Sequence, residues 1–528
     1  MDLLPQIRIW GPHGQQRLET CKIALLHSTP TGTETLKNLV LGGIASFTVV
    51  DDAKCTAVDL GNNFMVGPNS LGEARAKVVT ETLQELNESV AGSYIEESPE
   101  NLINSNPQFF HQFTVVVATQ MREQELVKLD EICREQKITL VAVRSYGLMG
   151  LLRPSLPEHC VVESKQDTMV DDLRIHQPWP ELRDYAMSFD LDRVDDFTHH
   201  HIPYVVILIQ AAEAWKASHN GTLPQASKDR SAFKDMIKGM KRKIDGVPIQ
   251  EENFDEAAKA AFHAWTPYTI PSEVNAVLKD DAAHAELGPH SSTFWIMVAA
   301  LKAFVANEGQ GTQLPLDGSI PDMHSTTEQY LKLQHLYRER ADQDVTAVQA
   351  HLASILKCLG KDGTSIGRDV VRHYCKNARS LRVTRYRPLK EEYSKDACRS
   401  RALGNALGSE GEAGTAALYV LLRAADRFYS LHGRFPGSPG SDVDDDVPAL
   451  KAAAHQLLGE YGLGHQTIQD DYIMEMCRFG AGELHVVAAF IGGMAAQEII
   501  KLVTCQFTPM IGALVFNGIS NSTCCFEL

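Results

Sequence analysis

The feature that most constrains the fold is an alternation of strand and helix patterns over the first 150 residues. The segment Lys22–Asp52 has short apolar runs at both ends and helical spacing of apolar residues between them, which predicts a β-α-β unit. Further strands are predicted at Phe113–Ala118 and Ile138–Val143. Strands separated by helices predict an α/β fold with a parallel sheet covered on both faces.

After about residue 163 the pattern changes to long helical segments joined by polar loops. Four of these helices are predicted at Val205–His219, Thr293–Asn307, Thr327–Leu359 and Ala413–His432. The acidic run within Gly433–Pro448 predicts an exposed loop rather than a metal site, because such runs usually solvate a surface.

Near the C-terminus, Gly480–Thr504 is apolar nearly all round and rich in alanine and glycine, which predicts a deeply buried helix. Two short β-like runs follow at Gly512–Phe516 and Thr523–Phe526. We therefore expect the C-terminus to return to the first domain. The predicted boundaries are 1–163 for the first part, 164–470 for a helical insertion and 471–528 for the return.

Composition narrows the functional class. The 528 residues predict two to four domains, and 50 Lys and Arg against 67 Asp and Glu give a net charge of −17, which argues against nucleic-acid binding as the main task. We expect no apolar run long enough to span a bilayer and no signal peptide, hence a cytoplasmic or nuclear protein. Eleven cysteines without a CxxC spacing argue against structural zinc.

The turn after the first predicted strand should be rich in glycine if it binds phosphate. Here Pro30 has no N–H to donate, while Thr29 and Thr31 carry Cβ atoms where close approach is needed. Gly32 and Asp51, 19 residues apart, keep the frame of a nucleotide-binding unit. A structural β-α-β turn is favoured over a working phosphate site, although both readings stay open.

Two further motifs carry weaker signals. Thr198–Tyr204 holds three successive histidines, whose side chains point in different directions, so a surface or interface role is favoured over a metal site. The stripe formed by Tyr330, Leu331, Leu333 and Tyr337 predicts a core face, although its aromatic content also suits a partner surface.

A set of segments spread from Gln6 to Leu528 carries a family likeness. They include TGTETLKNLVLGGIASFTVVD, DLGNNF, RSYGLMG, LQHLYRERA, DDYIMEMCRFGAGE and AAFIGGMAAQEIIK. Together they resemble the regulatory subunit of the Nedd-type (Rub) ubiquitin-like-modifier activating enzyme. The resemblance implies a Rossmann-like, ThiF/MoeB-like adenylation fold interrupted by a mainly α-helical insertion that lacks the catalytic cysteine.

The resemblance also implies a heterodimer. A catalytic subunit would use ATP and Mg²⁺ to adenylate a Nedd-type modifier, form the thioester and pass the modifier to a conjugating enzyme for cullin modification. This chain would bind no cofactor or metal and hold no catalytic residue. The alternatives are a self-sufficient adenylating enzyme or an oxidoreductase with an atypical phosphate turn, and a plain acidic scaffold.

Compared with the active half of such enzymes, the nucleotide site is degenerate by resemblance. The GxGGxG pattern falls on His27, Thr29, Pro30 and Gly32, and the DxD pair falls on Asp51 and Ala53. The arginine of the Asn-Arg-Gln-Phe motif falls on Asn62, the magnesium-binding aspartate falls on Gln120, and a basic residue persists at Arg75. Losing these donors and this metal ligand makes independent catalysis improbable.

Two further expectations rest on the resemblance. The family's N-terminal arginine falls on Pro5, so the contact is dispensed with, Arg8 replaces it, or the sequence start is abbreviated or mis-started. Cys358, Cys375 and Cys398 are expected to be structural. Contact with the catalytic subunit is predicted at Tyr330, Leu331, Leu333, Gln334, Tyr337 and Arg338.

Overall fold

The computed structural model divides the chain into two compact units. The first combines Met1–Val161 with Val383–Leu528, and the second is Val162–Arg382. The structure describes residues 4–164 and 171–528, with side chains from residue 7 onward. The second unit begins close to the predicted residue 164, whereas the chain returns to the first unit at Val383 instead of residue 471.

The first part of the chain contains α1 Leu4–Leu18, β1 Lys22–Leu26, α2 Pro30–Leu41, β2 Ser46–Val50, α3 Ala57–Asn62, α4 Arg75–Leu86, β3 Ala91–Ile95, α5 Pro99–Ser105, β4 Val115–Thr119, α6 Glu123–Glu135, β5 Thr139–Tyr146, β6 Met149–Ser155 and β7 His159–Val161. The second unit contains α7 Pro180–Met187, α8 Asp196–His200, α9 Tyr204–Ser218, α10 Ser227–Gly239, β8 Lys243–Ile244, β9 Val247–Pro248, α11 Glu252–Lys259, α12 Phe262–Trp265, α13 Ser272–Lys279, α14 Thr293–Ala306, α15 Thr327–Cys358 and α16 Arg368–Lys376. Then come β10 Arg382–Thr384, α17 Leu389–Tyr393, α18 Ser400–Leu407, α19 Ala413–His432, α20 Val443–Glu460, α21 Asp470–Phe479, α22 His485–Thr504, β11 Ala513–Asn517 and β12 Ser522–Phe526.

The first unit is built on an eight-stranded sheet in the order β12-β11-β6-β5-β4-β1-β2-β3. The five strands from β3 to β5 in that order are parallel, and β6, β11 and β12 extend the sheet antiparallel. The predicted α/β fold with a mostly parallel sheet is confirmed. Strand β1 shows why: Ile23 and Leu25 pack into the core on one face, while Ala24 and Leu26 pack into the core on the other.

The helices after Val383 belong to the first unit because buried ion pairs tie them to its sheet. Arg144, on β5, donates from both terminal nitrogens to Asp426 of α19 at 2.9 and 2.7 Å. Arg153, on β6, donates to Glu392 of α17 at 2.7 Å. A helical pattern alone does not reveal this docking, which is why the sequence places the return too late.

The acidic run near residue 444 is a helix start rather than an exposed loop. Asp442 caps α20, and three aspartates follow in the first turn, where the helix dipole favours negative charge. Asp446 is buried and accepts hydrogen bonds from both terminal nitrogens of Arg434, at 2.6 and 2.8 Å. The hydrogen bonds from Arg434 outweigh the effect of burial and lower the pKa of Asp446 to about 2.

Helix α22 corrects two expectations. Among the described residues it is the one helix long and apolar enough, by length and composition, to cross a membrane, so the prediction that no run reaches that length is wrong. Half of its apolar window is buried, so the predicted deep burial holds for one side of the helix only. The buried side packs on α2: a Cβ at Gly492 would lie 2.9 Å from the backbone nitrogen of Thr35.

The second unit is mainly helical around its own core. Helix α9 buries nine of its fifteen residues because its VVILI run is apolar on every side. Phe233, Phe254 and Tyr337 from three other helices are fully buried in the same cluster. The predicted helices α9, α14 and α15 are confirmed to within one residue at either end.

Candidate functional site

The candidate site lies where β1 and β4 end. From β1 the chain continues to β2 on one side, whereas from β4 it continues to β5 on the other side, so the strand order reverses between these two neighbouring strands. Open α/β sheets bind ligands beyond the carboxyl ends of the strands at such a point. The residues after the strands, His27 and Gln120, have φ of 62° and 52°. This left-handed conformation is uncommon for residues with a Cβ and turns the chain sharply at both positions.

The turn after β1 leads directly into α2. Pro30 occupies the first helical position, where its missing N–H costs nothing, and Thr29 makes no side-chain cap. A Cβ at Gly32 would lie 2.8 Å from the carbonyl oxygen of His27 and 2.9 Å from the hydroxyl oxygen of Thr119. The one retained glycine is therefore required for packing the helix against the strand ends.

His27 also forms a contact of its own. Its Nε2 lies 3.0 Å from a carboxylate oxygen of Glu100 on α5. Burial alone would raise the pKa of Glu100, but the hydrogen bond and charge of His27, together with a hydrogen bond from Ser98, lower it to about 2. The residue at the first glycine position of the family pattern is thus held by a neighbouring acid.

Asp51 is buried at the end of β2 and has both carboxylate oxygens engaged. One oxygen accepts from the backbone N–H and the hydroxyl of Ser28, each at 2.7 Å, and from Arg75 Nε at 2.9 Å. The other accepts from the N–H of Ala53 at 3.0 Å. Burial opposes ionisation, but Arg75 and these hydrogen bonds outweigh it and lower the pKa of Asp51. Its geometry is that of a structural acid.

Arg75 begins α4 and is held by two acids of the same chain. Besides Asp51, it donates from a terminal nitrogen to Asp59 at 3.0 Å. Asp59 in turn accepts from the N–H and the hydroxyl of Thr56, which completes a capping box at the start of α3. Arg75, the basic residue that persists in the degenerate site, is therefore paired with two acids of the same chain.

The Gly61–Phe64 stretch takes part in the same structure. Asn63 is buried, donates to the carbonyl of Ser28 at 3.0 Å and accepts from Thr33 at 3.1 Å. Asn62, where the family has an arginine, donates to the carbonyl of Glu483 at 3.0 Å.

Glu483 comes from the segment just before α22, 452 positions from Thr31 in the sequence. One of its carboxylate oxygens accepts from the N–H of Thr31 at 3.1 Å and from the Thr31 hydroxyl at 2.6 Å. The Ser145 hydroxyl lies 3.4 Å from the same oxygen. A carboxylate of this chain therefore stands at the N-terminus of α2.

These groups do not fit a bound nucleotide and magnesium ion. Asn62 has a neutral amide where a phosphate-binding cation is needed. Gln120 has a neutral amide where a metal-binding carboxylate is needed, and this amide donates to the carbonyl of Ser145 at 2.7 Å. The carboxylate of Glu483 would repel a phosphate at the start of α2. Within the described residues, no group of three or more His, Cys, Asp or Glu side chains could hold a metal ion.

An open cleft of about 720 Å³ lies beside this site, lined by Thr29, Val58, Asp59, Asn62, Arg75, Arg478, Phe479 and Glu483, among others. The elements around the cleft also carry exposed apolar side chains. The apolar face, as we name it, consists of Val58, Phe64, Val486 and Phe490, which are 72%, 77%, 59% and 46% exposed. Asn62 and Glu483 join its two halves, because their hydrogen bond ties the end of α3 to the start of α22.

The degenerate motif is visible in the sequence, whereas most of the side chains that fill the site are not. Asp59, Ser145 and Glu483 lie within the segments that carry the family likeness, but the motifs assign no role to them or to Ser28. Only Asp59 carries a local signal, since Thr56 three residues before it matches a capping box. No local pattern connects Thr31 with a residue 452 positions away.

The predicted partner stretch on α15 is only partly accessible. Leu333 and Tyr337 are fully buried, and the Tyr337 hydroxyl donates to the carbonyl of Leu173, so these two are core residues and that part of the prediction is wrong. The helix turns them inward, as the apolar stripe also indicated. Leu331 and Arg338 are exposed, and Tyr330 and Gln334 are half-buried, so contact through these four stays a prediction.

The histidine run is also partly internal. His199 is buried, stacks on Phe254 and lies 2.6 Å from a carboxylate oxygen of Glu251, so a surface role for it is wrong. His200 and His201 are half-buried.

None of the three singled-out cysteines lies where a thiolate is favoured. Cys358 ends α15, where the helix dipole disfavours negative charge. Burial raises the pKa of Cys375 to about 12 and raises the pKa of Cys398. The predicted N-terminal alternatives at Leu3–Gln6 concern side chains outside the described residues, while Arg8 is exposed on α1.

The fold and the site define a class: an adenylation-type α/β unit, interrupted by a helical unit, whose nucleotide crevice holds its own side chains. The ThiF family model matches residues 3–523. NEDD8-activating enzyme E1 regulatory subunit AXR1 of Arabidopsis thaliana is 47% identical over 98% of this chain and 94% of its own length. The NEDD8-activating enzyme E1 regulatory subunit of Gallus gallus is 42% identical over 99% of this chain and 97% of its own. The chain belongs to the ThiF family and, within it, to the NEDD8-activating enzyme E1 regulatory subunits.

The relationship extends to a distant relative. The NEDD8-activating enzyme E1 regulatory subunit of Saccharomyces cerevisiae is 27% identical over 99% of both chains. The resemblance stated from the motifs is therefore confirmed.

Proposed function

We propose that this chain is the non-catalytic half of a heterodimeric activating enzyme for a NEDD8-type modifier, and that its partner binds ATP and Mg²⁺ and carries the catalytic cysteine. The names of its full-length relatives support a regulatory role. One observation carries the proposal further: the charged groups Asp51, Arg75 and Glu483 of the crevice are hydrogen-bonded within this chain, while the side chains of the apolar face are exposed.

The apolar face is suited to a protein partner. Val486 and Phe490 are one helical turn apart on α22, so they present a single surface. Val58 on α3 and Phe64 just after it are exposed as well, and α3 is tied to the start of α22 by the hydrogen bond between Asn62 and Glu483. Exposed apolar side chains that include aromatic rings are typical of an interface. We assign this face to the catalytic subunit.

The pair would adenylate the C-terminal glycine of the modifier and transfer it to the partner's cysteine. A conjugating enzyme would then receive the modifier for cullin modification, in the cytoplasm or nucleus. This chain would contribute binding surface and stability, and no group that reacts. A self-sufficient adenylating enzyme or oxidoreductase is not favoured, because the full-length relatives are regulatory subunits.

Modifier-dependent exchange between ATP and pyrophosphate tests this proposal. The purified chain should give no exchange with the modifier, whereas addition of the catalytic subunit should produce it. Exchange by the chain alone, in a preparation free of catalytic subunit, would overturn the proposal. Failure to form a stoichiometric complex with the catalytic subunit would overturn the assignment of the partner.

A further inference from the structure

The starting observation is the unusual occupant of the α2 N-terminus. The first turn of a helix leaves N–H groups without helical partners and carries a partial positive charge, which in nucleotide-binding folds attracts phosphate. Here Pro30 has no N–H and Thr29 makes no side-chain cap. The N–H of Thr31 donates to the Glu483 carboxylate instead.

The carboxylate is surrounded by donors. Thr31 is fully buried and Ser145 is 1% exposed, and the hydroxyls of both point at the same Glu483 oxygen at 2.6 and 3.4 Å. The two hydroxyl oxygens lie 2.7 Å apart. The N–H and the hydroxyl of Thr31 donate to one anionic oxygen, and the Ser145 hydroxyl supports the Thr31 hydroxyl, which resembles a donor set that binds an oxyanion.

The backbone that carries Glu483 is fixed on both sides. The N–H of Gly147 donates to the carbonyl of Gly482 at 2.7 Å, and Asn62 donates to the carbonyl of Glu483 at 3.0 Å. Gly480 and Ala481 have φ of 54° and 59°, so the chain turns sharply just before the carboxylate. Because the backbone is anchored in this way, the side chain reaches α2 from a fixed base.

We propose that Glu483 is a built-in anion that takes the position of a nucleotide phosphate at the α2 N-terminus. It neutralises the helix end and closes the phosphate position, so the unit has a ligand-bound arrangement without a ligand. Removal of the carboxylate then leaves an open oxyanion site made of the Thr31 N–H and the hydroxyls of Thr31 and Ser145. This inference depends on the crevice geometry alone and is independent of the proposed partner.

Chemical rescue in the full-length chain tests the proposal. Glu483→Ala should lower the midpoint of thermal unfolding, because the helix end loses its anion. Inorganic pyrophosphate should then raise that midpoint by on the order of 2 °C or more, whereas the wild-type chain at the same ionic strength should not respond. Glu85→Ala removes an exposed carboxylate from α4 and serves as the matched control, with neither effect expected.

Glu483→Gln keeps the shape and removes the charge, so it provides a second variant if the alanine variant does not fold. It should show a smaller loss of thermal stability and a pyrophosphate response between those of the wild type and the alanine variant. The proposal is overturned if pyrophosphate stabilises the wild type as much as the variants, or if neither variant responds to it. Neither result depends on modifier activation, so the two proposals fail independently.

Discussion

The crevice at the ends of β1 and β4 differs from the apolar face beside it in where the side chains find their partners. In the crevice, Asp51, Arg75 and Glu483 are paired with groups of the same chain. On the face, Phe64 and Phe490 are 77% and 46% exposed. The proposed function accounts for this difference, because a site without a ligand must be stabilised by its own side chains, whereas a surface for a partner keeps its apolar groups accessible. On this proposal the crevice is a structural region and the apolar face is the region that binds the partner.

The largest expected effect is a loss of stability when the buried acid Asp51 is removed from the crevice. Asp51→Ala leaves Arg75 and the donors of Ser28 without their buried acceptor, and breaking a buried ion pair costs about 3 kcal/mol or more. Urea unfolding of the full chain should therefore show a clearly lower midpoint. Asp52→Ala, at the exposed neighbouring position, should change the free energy of unfolding by less than about 0.5 kcal/mol. Equal effects at the two positions would refute the structural role of Asp51.

The next largest expected effect is weaker binding of the catalytic subunit when the apolar face receives a charge. Phe490→Asp should weaken binding to the catalytic subunit by about 2 kcal/mol, roughly 30-fold, because it places a charge in the proposed apolar contact. Isothermal titration calorimetry with the purified subunits measures this loss. Leu431→Asp changes a leucine that is 79% exposed on α19 and should bind like the wild type. The apolar face is not the interface if both variants bind equally well.

The smallest effect concerns the edge of the crevice and its pH dependence. Folding lowers the pKa of Glu100 from 4.5 to about 2, so the stabilisation by this carboxylate is complete above about pH 4.5 and is lost as pH falls toward 2. The stability difference between the wild type and Glu100→Gln should stay below about 1 kcal/mol, because the pair with His27 is partly exposed. Acid unfolding curves should converge as pH falls to about 2. A difference that grows as pH falls would contradict this account.

Much of the fold is readable in the sequence because the central strands are short apolar runs buried on both faces. Strands β1 and β2 form at the two ends of the predicted β-α-β unit Lys22–Asp52, as Lys22–Leu26 and Ser46–Val50. Strand β3 escapes prediction because Ala91–Ile95 lies at the sheet edge, where it keeps small and polar residues. The packing of the four helices α17, α18, α19 and α20 on the first unit is not predicted for another reason. Helical spacing shows that a helix has an apolar side, but it does not show which element covers that side.

The candidate site is readable only in part. Missing donors are visible in the sequence, as at Pro30, because their chemistry depends on residue type alone. The replacements are not visible, because Glu483 reaches Thr31 through the fold and not through the sequence. The same limit explains Tyr337: its aromatic ring suits an interface, but the fold turns it into the core.

The central claim, that this chain contributes a surface and not a nucleotide site, is tested most directly by the ATP stoichiometry of the reconstituted heterodimer. Equilibrium binding of Mg²⁺–ATP to the purified complex should saturate at one nucleotide per pair of subunits. Two nucleotides per pair, with the second retained when the catalytic subunit's own site is inactivated, would contradict the account.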